Sequence, residues 1–172
     1  MLTTRPQKTI LFALVEPERA YDILDGGRAV AVVHYLKNKG GRIAIDGKQY
    51  SLVRGGGPSD EMLGQMLIRA VTGRQRIPAT WTLTDPDGGV LASAENSKEG
   101  VAITHGEERF QLRKLKRSGQ YQLFREGNEQ PLCSTAGMSL PPEFGRLFQF
   151  FVLAIAIALV NETLDSSPAV SP

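Results

Sequence analysis

The sequence Leu-Phe-Gln-Phe-Phe-Val-Leu-Ala-Ile-Ala-Ile-Ala-Leu-Val, residues 147–160, decides how the rest of the chain must fold. Gln149 is its one polar residue, and the length and the content of Ala, Leu and Phe favour a helix. Read at 3.6 residues per turn, this helix has no polar face. A helix that is apolar all round must be enclosed by protein or by lipid.

Length and flanking charges favour enclosure by protein. A membrane span needs about 20 apolar residues, and a shorter run is more typical of a buried core helix. Arg146 precedes the run, Glu162 follows it, and no Lys or Arg comes after Glu162 to anchor a spanning helix. A C-terminal membrane anchor is the rival interpretation.

The start of the helix is indicated by prolines. Ser139 or Leu140 is expected to cap it, with Pro141 or Pro142 in its first turn. The sequence therefore predicts a central helix over about residues 141–162. It also predicts a single domain over residues 1–164 and a disordered tail over residues 165–172.

Short strands separated by turn residues fill most of the chain before the helix. Alternation is clear in Arg28–Leu36, in Ala79–Thr84 and in Arg109–Lys116, and Asp46-Gly47 is a strong hairpin signal. Met62–Val71 fits helical spacing as well as a strand, and we prefer a strand because its neighbours are strands. The other predicted strands are Lys8–Glu16, Tyr21–Leu24 (a strand or part of a connection), Arg42–Asp46, Gln49–Arg54, Gln65–Thr72, Val90–Ala94, Val101–Thr104, Tyr121–Arg125 and Pro131–Ser134.

The number of strands matches the size of the helix. A helix of 14 residues spans about 21 Å, which is the height of a barrel built from strands of seven or eight tilted residues. A barrel that holds a helix on its axis needs about eleven strands. The predicted fold class is therefore mainly β: an antiparallel barrel of about 10–12 strands that encloses a C-terminal hydrophobic helix.

This pattern resembles the Tubby C-terminal-like superfamily, which includes the Tubby domain, the phospholipid scramblases and the LURP-one-related proteins. The resemblance covers the chain from about residue 28, and it rests on the hairpin Asp85–Ala92, the strand pair Arg109–Leu112 and Tyr121–Phe124, and the helical stretch Phe148–Leu159. It implies strands that surround a C-terminal helix. For the Tubby domain it also implies binding of phosphoinositides.

Composition indicates a cytoplasmic protein. Of the 172 residues, 41% are hydrophobic and the net charge is +2, which excludes a polytopic membrane protein and does not indicate nucleic-acid binding. Cys133 has no second cysteine with which to form an internal disulfide. The apolar run Ile10–Val15 is short for a signal peptide, and Glu16-Pro17-Glu18 follows where small residues would be needed.

No catalytic motif is visible in the sequence. The serines lie outside any Gly-x-Ser-x-Gly setting, and the two histidines, His34 and His105, lie far apart and outside ligand-spaced motifs. A histidine in an alternating strand is usually structural. Cys133 is expected to be a buried, inert thiol.

Two loop sequences resemble ligand motifs but are predicted to be connections. Gly55–Asp60 lacks the spacing of a phosphate-binding loop. Asp85-Pro-Asp-Gly resembles the start of a calcium loop, but no glutamate follows at the required offset and proline suits a turn. The sequence therefore predicts no metal and no cofactor.

The most informative polar feature is a basic hairpin around Ser118-Gly119. We predict an anion-binding or lipid-headgroup site there, formed by Arg113, Lys114, Lys116 and Arg117. The alternative is a solvated charged face. Glu107 and Glu108 flank the cluster and weaken its field.

The sequence favours the first of three functional classes, and the other two are alternatives. The first is a non-enzymatic binding domain for anionic phospholipid headgroups or for a protein partner, cytoplasmic or peripheral at a membrane. The second is an enzyme or small-molecule carrier with a pocket at the mouth of the barrel. The third is a membrane-anchored, scramblase-like protein.

Overall fold

A computed structural model describes residues 1–7, 19–36, 39–56, 78–115 and 120–164. The eleven strands are β1 (Leu2–Pro6), β2 (Arg19–Asp25), β3 (Arg28–Leu36), β4 (Gly40–Ile45), β5 (Lys48–Gly55), β6 (Thr80–Thr84), β7 (Val90–Ser97), β8 (Gly100–His105), β9 (Glu108–Lys114), β10 (Tyr121–Arg125) and β11 (Pro131–Ser134). A 3₁₀ turn (Pro142–Phe144) leads into one helix, α1 (Gly145–Leu164).

All the strands belong to one antiparallel sheet in which spatial order follows chain order from β1 to β11. Strands that are consecutive in the chain pair with each other. The predicted turn Asp46-Gly47 is confirmed: both residues have positive φ, 47° and 77°, as a two-residue type I′ turn requires. The mainly β fold class predicted from the sequence is therefore confirmed.

Alternation places one row of side chains from each strand against the helix. Trp81, Leu83, Phe110 and Leu112 are almost completely buried, as their positions in alternating strands predict. In β3 the buried row is Ala31, Val33 and Tyr35, and the opposite row is half-exposed. The sheet therefore has one apolar face, which packs on α1.

The helix α1 is buried on every side over its central part. Every side chain from Phe150 to Ala158 is buried. Pro142–Asn161 is long and apolar enough to span a membrane, but 67% of this stretch is buried inside the protein. The core helix of a protein can be equally long and apolar, and here the sheet covers its apolar surface.

The start of the helix differs from the prediction. Pro142 and Glu143 lie in the 3₁₀ turn, Pro141 precedes it without a side-chain cap, and α1 begins at Gly145. Gly145 has φ 63° and ψ 153°, a conformation that is essentially restricted to glycine. The chain therefore changes direction at Gly145 before it enters the core.

The sheet is not closed into a complete barrel, which corrects one part of the prediction. The strands β1 and β11 are not paired with each other. The short segment Gly137–Met138 lies between them: Gly137 forms a bridge with Ser134, and Met138 forms a bridge with Leu2. Two hydrogen bonds, Leu2 N to Met138 O (2.7 Å) and Met138 N to Leu2 O (2.8 Å), join the two edges. We call this gap between β1 and β11 the seam.

The sequence did not predict β1. Leu2 is its one buried residue, and Thr3-Thr4-Arg5-Pro6 shows no apolar alternation. The strands predicted at Lys8–Glu16 and Gln65–Thr72, most of the loop Gly55–Asp60 and the tail at 165–172 lie outside the described residues. Those predictions stay predictions.

Replacing Phe151 by Asp should destabilise the protein by about 3–5 kcal/mol, because Phe151 is 0% exposed and a carboxylate there would be buried without a partner. Urea unfolding followed by circular dichroism measures the change. Val90→Asp is the control, because Val90 is exposed and its replacement should change the stability by less than about 0.5 kcal/mol. Equal stability of the two variants would contradict a helix enclosed by the sheet.

Candidate functional site

A cleft opens along the seam on the side of the helix C-terminus. Its volume is about 250 Å³. The apolar floor comes from α1, and the walls come from β1, β2, the start of β10 and the segment after β11. The lining residues are Thr4, Tyr21, Gln120, Tyr121, Thr135, Ala136, Leu153, Ala156, Ile157, Val160 and Asn161.

The cleft exists because the sheet fails to close over the helix. Ala156 and Ile157 are only slightly exposed on its floor, and Val160 at its mouth is 40% exposed. The described lining residues carry apolar, hydroxyl and amide groups and no carboxylate, imidazole, ammonium or guanidinium group. These groups suit an uncharged part of a ligand.

A polar cluster is centred on Asn161, which lines the cleft. Asn161 is 3% exposed, and its side-chain oxygen accepts hydrogen bonds from the guanidinium of Arg19 and from the hydroxyl of Tyr21 (3.0 Å). Its amide nitrogen donates to the carbonyl oxygen of Ile157 (2.8 Å). These bonds connect α1 to β2 and compensate for burying the asparagine.

A carboxylate holds β1 against β2 beside the cleft. Arg5 donates a hydrogen bond to Asp22 (2.8 Å), and the side-chain amide of Gln7 donates to the other carboxylate oxygen. The hydrogen bonds from Arg5 and then Gln7 lower the pKa of Asp22, because both favour its ionised form. The ionised Asp22 therefore helps to position the wall of the cleft that β1 provides.

The basic hairpin predicted from the sequence adjoins the cleft, and two of its four residues are described. Lys114 ends β9 opposite Tyr121, and Leu115 N donates to Gln120 O (2.7 Å). Gln120 and Tyr121 line the cleft. Lys116 and Arg117 lie outside the described residues.

Arg113 is engaged within the sheet. Its guanidinium donates to the side chain of Gln111 through Nε (2.8 Å), lies 3.7 Å from Glu99 and covers the ring of Phe124 at 4.8 Å. Lys114 is exposed. Of the two described cations, Lys114 is the more exposed residue, at the end of its strand, and the Arg113 side chain is 42% exposed.

The other candidate residues take structural positions. His105 stacks on Phe148 of the helix, with ring centroids 4.6 Å apart. Burial raises the pKa of the Cys133 thiol to about 11, so little reactive thiolate forms at neutral pH. Asp85 accepts hydrogen bonds from the backbone N–H groups of Asp87 (3.0 Å) and Gly89 (2.7 Å), as a turn residue does. Among the described residues, no three His, Cys, Asp or Glu side chains are grouped as a metal site requires.

Sequence reasoning did not identify the residues of the cleft. Thr4 and Tyr21 lie far from Thr135 and Asn161 in the chain, and only the pairing of the sheet brings them together. One signal was present: Asn161 is the first polar residue after the apolar run, at a position still within the core. Comparison with protein-family models, with curated proteins and with solved structures gave no match.

Replacing Asp22 by Asn should lower the stability at pH 7 by about 1 kcal/mol, a modest cost because Arg5 is largely exposed. Because the pKa of Asp22 is lower in the folded than in the unfolded chain, its ionised carboxylate stabilises the folded protein. This stabilisation is fully present above the pKa that Asp22 has in the unfolded chain, and it is lost as the pH falls through the pKa that Asp22 has in the folded protein. The difference between Asp22→Asn and the parent should therefore shrink in acid. Urea unfolding at several pH values measures it, with Asp87→Asn in an exposed turn as the control. A difference that stays constant down to strongly acidic pH would contradict this role.

Proposed function

We propose that this chain is a non-catalytic binding domain, and that the cleft at the seam receives an uncharged, apolar segment of a protein partner. One observation carries the proposal: where the sheet does not close, the helix borders a cleft through Ala156 (7% exposed), Ile157 (6%) and Val160 (40%). The other side chains of Phe150–Ala158 are at most 1% exposed.

The composition of the cleft supports binding rather than proton transfer. General acid–base chemistry uses a positioned ionisable group with a pKa near the working pH. The described lining sets aliphatic side chains beside hydroxyl and amide groups, of which Tyr21 and Asn161 are hydrogen-bonded to each other. This combination is typical of a site that recognises an uncharged group by shape and hydrogen bonds.

The size of the cleft supports a part of a larger partner as the occupant. Pockets that enclose whole small molecules span about 300–1,000 Å³. The cleft has about 250 Å³ and is open on one side, so a bound group extends out of it. A peptide segment that buries one or two side chains fits this geometry, and a free apolar molecule is the alternative that the test below separates.

Membership of the Tubby C-terminal-like superfamily and a cytoplasmic location are part of the same proposal. What supports the family is the combination, within the described residues, of one eleven-stranded antiparallel sheet with an apolar helix that follows all of those strands.

Filling the cleft should abolish partner binding. A library of random heptapeptides displayed on phage, selected on the parent protein, should yield uncharged peptides with apolar residues. Their affinity, measured by fluorescence polarisation, should fall at least about tenfold in Ala156→Leu, because the added carbons occupy the floor. Ala102→Leu is the matched control, since Ala102 is exposed on β8.

Val160→Glu provides a second variant at the mouth of the cleft, where it is less able to disturb folding. Selection of no peptide, or of peptides that bind all variants equally, would refute the proposal. A second outcome would also refute it: the parent binds 1-dodecanol but no peptide, and Ala156→Leu abolishes the binding of 1-dodecanol. That result would show that the cleft binds a free apolar molecule.

A second candidate function is binding to anionic phospholipid surfaces through the basic hairpin. The observation that favours it is the exposure of Lys114 at a strand end beside the cleft. Cations near an anionic membrane gain about 1 kcal/mol each. Arg113 is expected to contribute less than Lys114, because its guanidinium already contacts Gln111 and Phe124.

Replacing Arg113, Lys114, Lys116 and Arg117 together by Gln should remove most binding to anionic vesicles and leave the fold intact. Co-sedimentation with phosphatidylserine-containing vesicles, compared with neutral vesicles and repeated at higher salt, measures it. Among single variants, Lys114→Gln should lose more binding than Arg113→Gln. If the parent and the quadruple variant pelleted equally, the hairpin would be a solvated charged face with no role in membrane binding.

A further inference from the structure

The seam is one strand wide where the chain crosses it. Gly137 pairs with Ser134 at the end of β11, and Met138 pairs with Leu2 at the start of β1. These two residues therefore occupy the position of a twelfth strand, between the first strand and the last. Adjacent strands lie about 4.8 Å apart, so this segment fills the place of one strand beside Leu2. Further along β1, Thr4 borders the cleft, which Thr135 and Ala136 also line.

The edge of β1 continues past Leu2 with backbone groups that point into the seam. Gln7 N donates to Ala20 O (2.8 Å), which shows that Gln7 directs its amide towards β2. In an antiparallel pair this direction alternates, so Thr3 and Arg5 also face β2, whereas Leu2, Thr4 and Pro6 face the seam. The two bonds of Leu2 to Met138 agree with this alternation.

The seam edge beside the cleft therefore offers three backbone groups. These are the N–H and C=O of Thr4 and the C=O of Pro6, which has no N–H to donate. Among the described residues, none forms a backbone hydrogen bond with the seam-facing groups of Thr4. An unpaired strand edge of this kind can accept an extended segment.

We infer that the partner segment binds as a short twelfth strand, antiparallel to β1, in the position that Gly137 and Met138 begin. This inference rests on the proposed function and adds the mode of binding and the pattern of the segment. Two residues of the segment would lie opposite Thr4 and Pro6, and the first would exchange both hydrogen bonds with Thr4.

The same two residues of the segment direct their side chains towards the helix. Residues opposite each other in an antiparallel pair share one face of the sheet. Thr4 is paired with the buried Ile23 and lines the cleft, and Pro6 is paired with Tyr21, which also lines it. The segment therefore has the pattern apolar–any–apolar, and the amides that bond to β1 belong to the two apolar residues.

The length of the edge limits the added strand. Pro6 supplies no donor, β1 has five residues, and Arg5 places a charge on the outer face of the sheet. Proline and charge on a short edge strand are features that oppose unlimited edge-to-edge association. This edge can form three hydrogen bonds and two side-chain contacts with a partner. That number suits a short linear segment.

The inference is tested with a peptide selected on the parent protein and with two variants of Thr4. Thr4→Pro removes the seam-facing N–H and leaves the bonds from Thr3 and Arg5 to β2 in place, because proline is tolerated at an edge position. Thr4→Ala keeps the N–H. Thr4→Pro should bind the peptide about tenfold more weakly than Thr4→Ala, because it lacks the hydrogen bond that the N–H of residue 4 donates to the peptide.

Methylation of the peptide backbone gives an independent readout that does not depend on the folding of a variant. N-methylation at the two apolar positions should abolish binding, and N-methylation at the position between them should leave it unchanged. Equal effects at both kinds of position, or equal binding by Thr4→Pro and Thr4→Ala, would overturn strand addition. If Ala156→Leu still abolished binding in that case, the cleft would remain the binding site and only the mode of binding would be wrong.

Discussion

The constraint on which this structure depends is a helix with no polar face. Such a helix cannot lie on the surface of a protein, because each of its faces must be removed from water. Eleven strands provide one alternating apolar face, and Trp81, Phe110 and Leu112 from that face belong to the same buried core as Phe150–Ala158. The sheet and the helix therefore depend on each other: neither has an alternative surface on which to bury its apolar side chains.

Sequence reasoning could predict the elements in which periodicity is strong. Alternation identified the inward rows of β6 and β9, the Asp46-Gly47 turn fixed the hairpin between β4 and β5, and the apolar run identified the helix. It could not predict β1, since one buried leucine among polar residues carries no period. Nor could it place the start of α1, because the 3₁₀ turn depends on the backbone at Gly145.

The candidate site was harder to predict because the cleft forms where β1 and β11 do not pair. Whether β1 meets β11 depends on the lengths of both edge strands and on the turn at Ser134–Gly137, and none of these is visible as a motif. The basic hairpin shows a related limit. A count of charges predicts equal contributions to anion binding from Arg113 and Lys114. The pairing of β9 with β10, however, places Arg113 over Phe124 and leaves Lys114 exposed. The identity of a residue does not reveal its neighbours.

The bridge between Leu2 and Met138 also constrains the order in which the molecule forms. Every pair in the sheet joins strands that are consecutive in the chain, and pairings between residues close in sequence form faster than distant ones. The links that complete the structure are distant: Arg19 and Asn161 are 142 residues apart in the chain, and Asp25 and Arg146 are 121 apart. During synthesis the strands emerge before the helix on which they pack, so a paired sheet with an uncovered apolar face precedes the finished core. Such a growing chain exposes the surface that chaperones recognise, and its exposure ends when α1 enters the sheet.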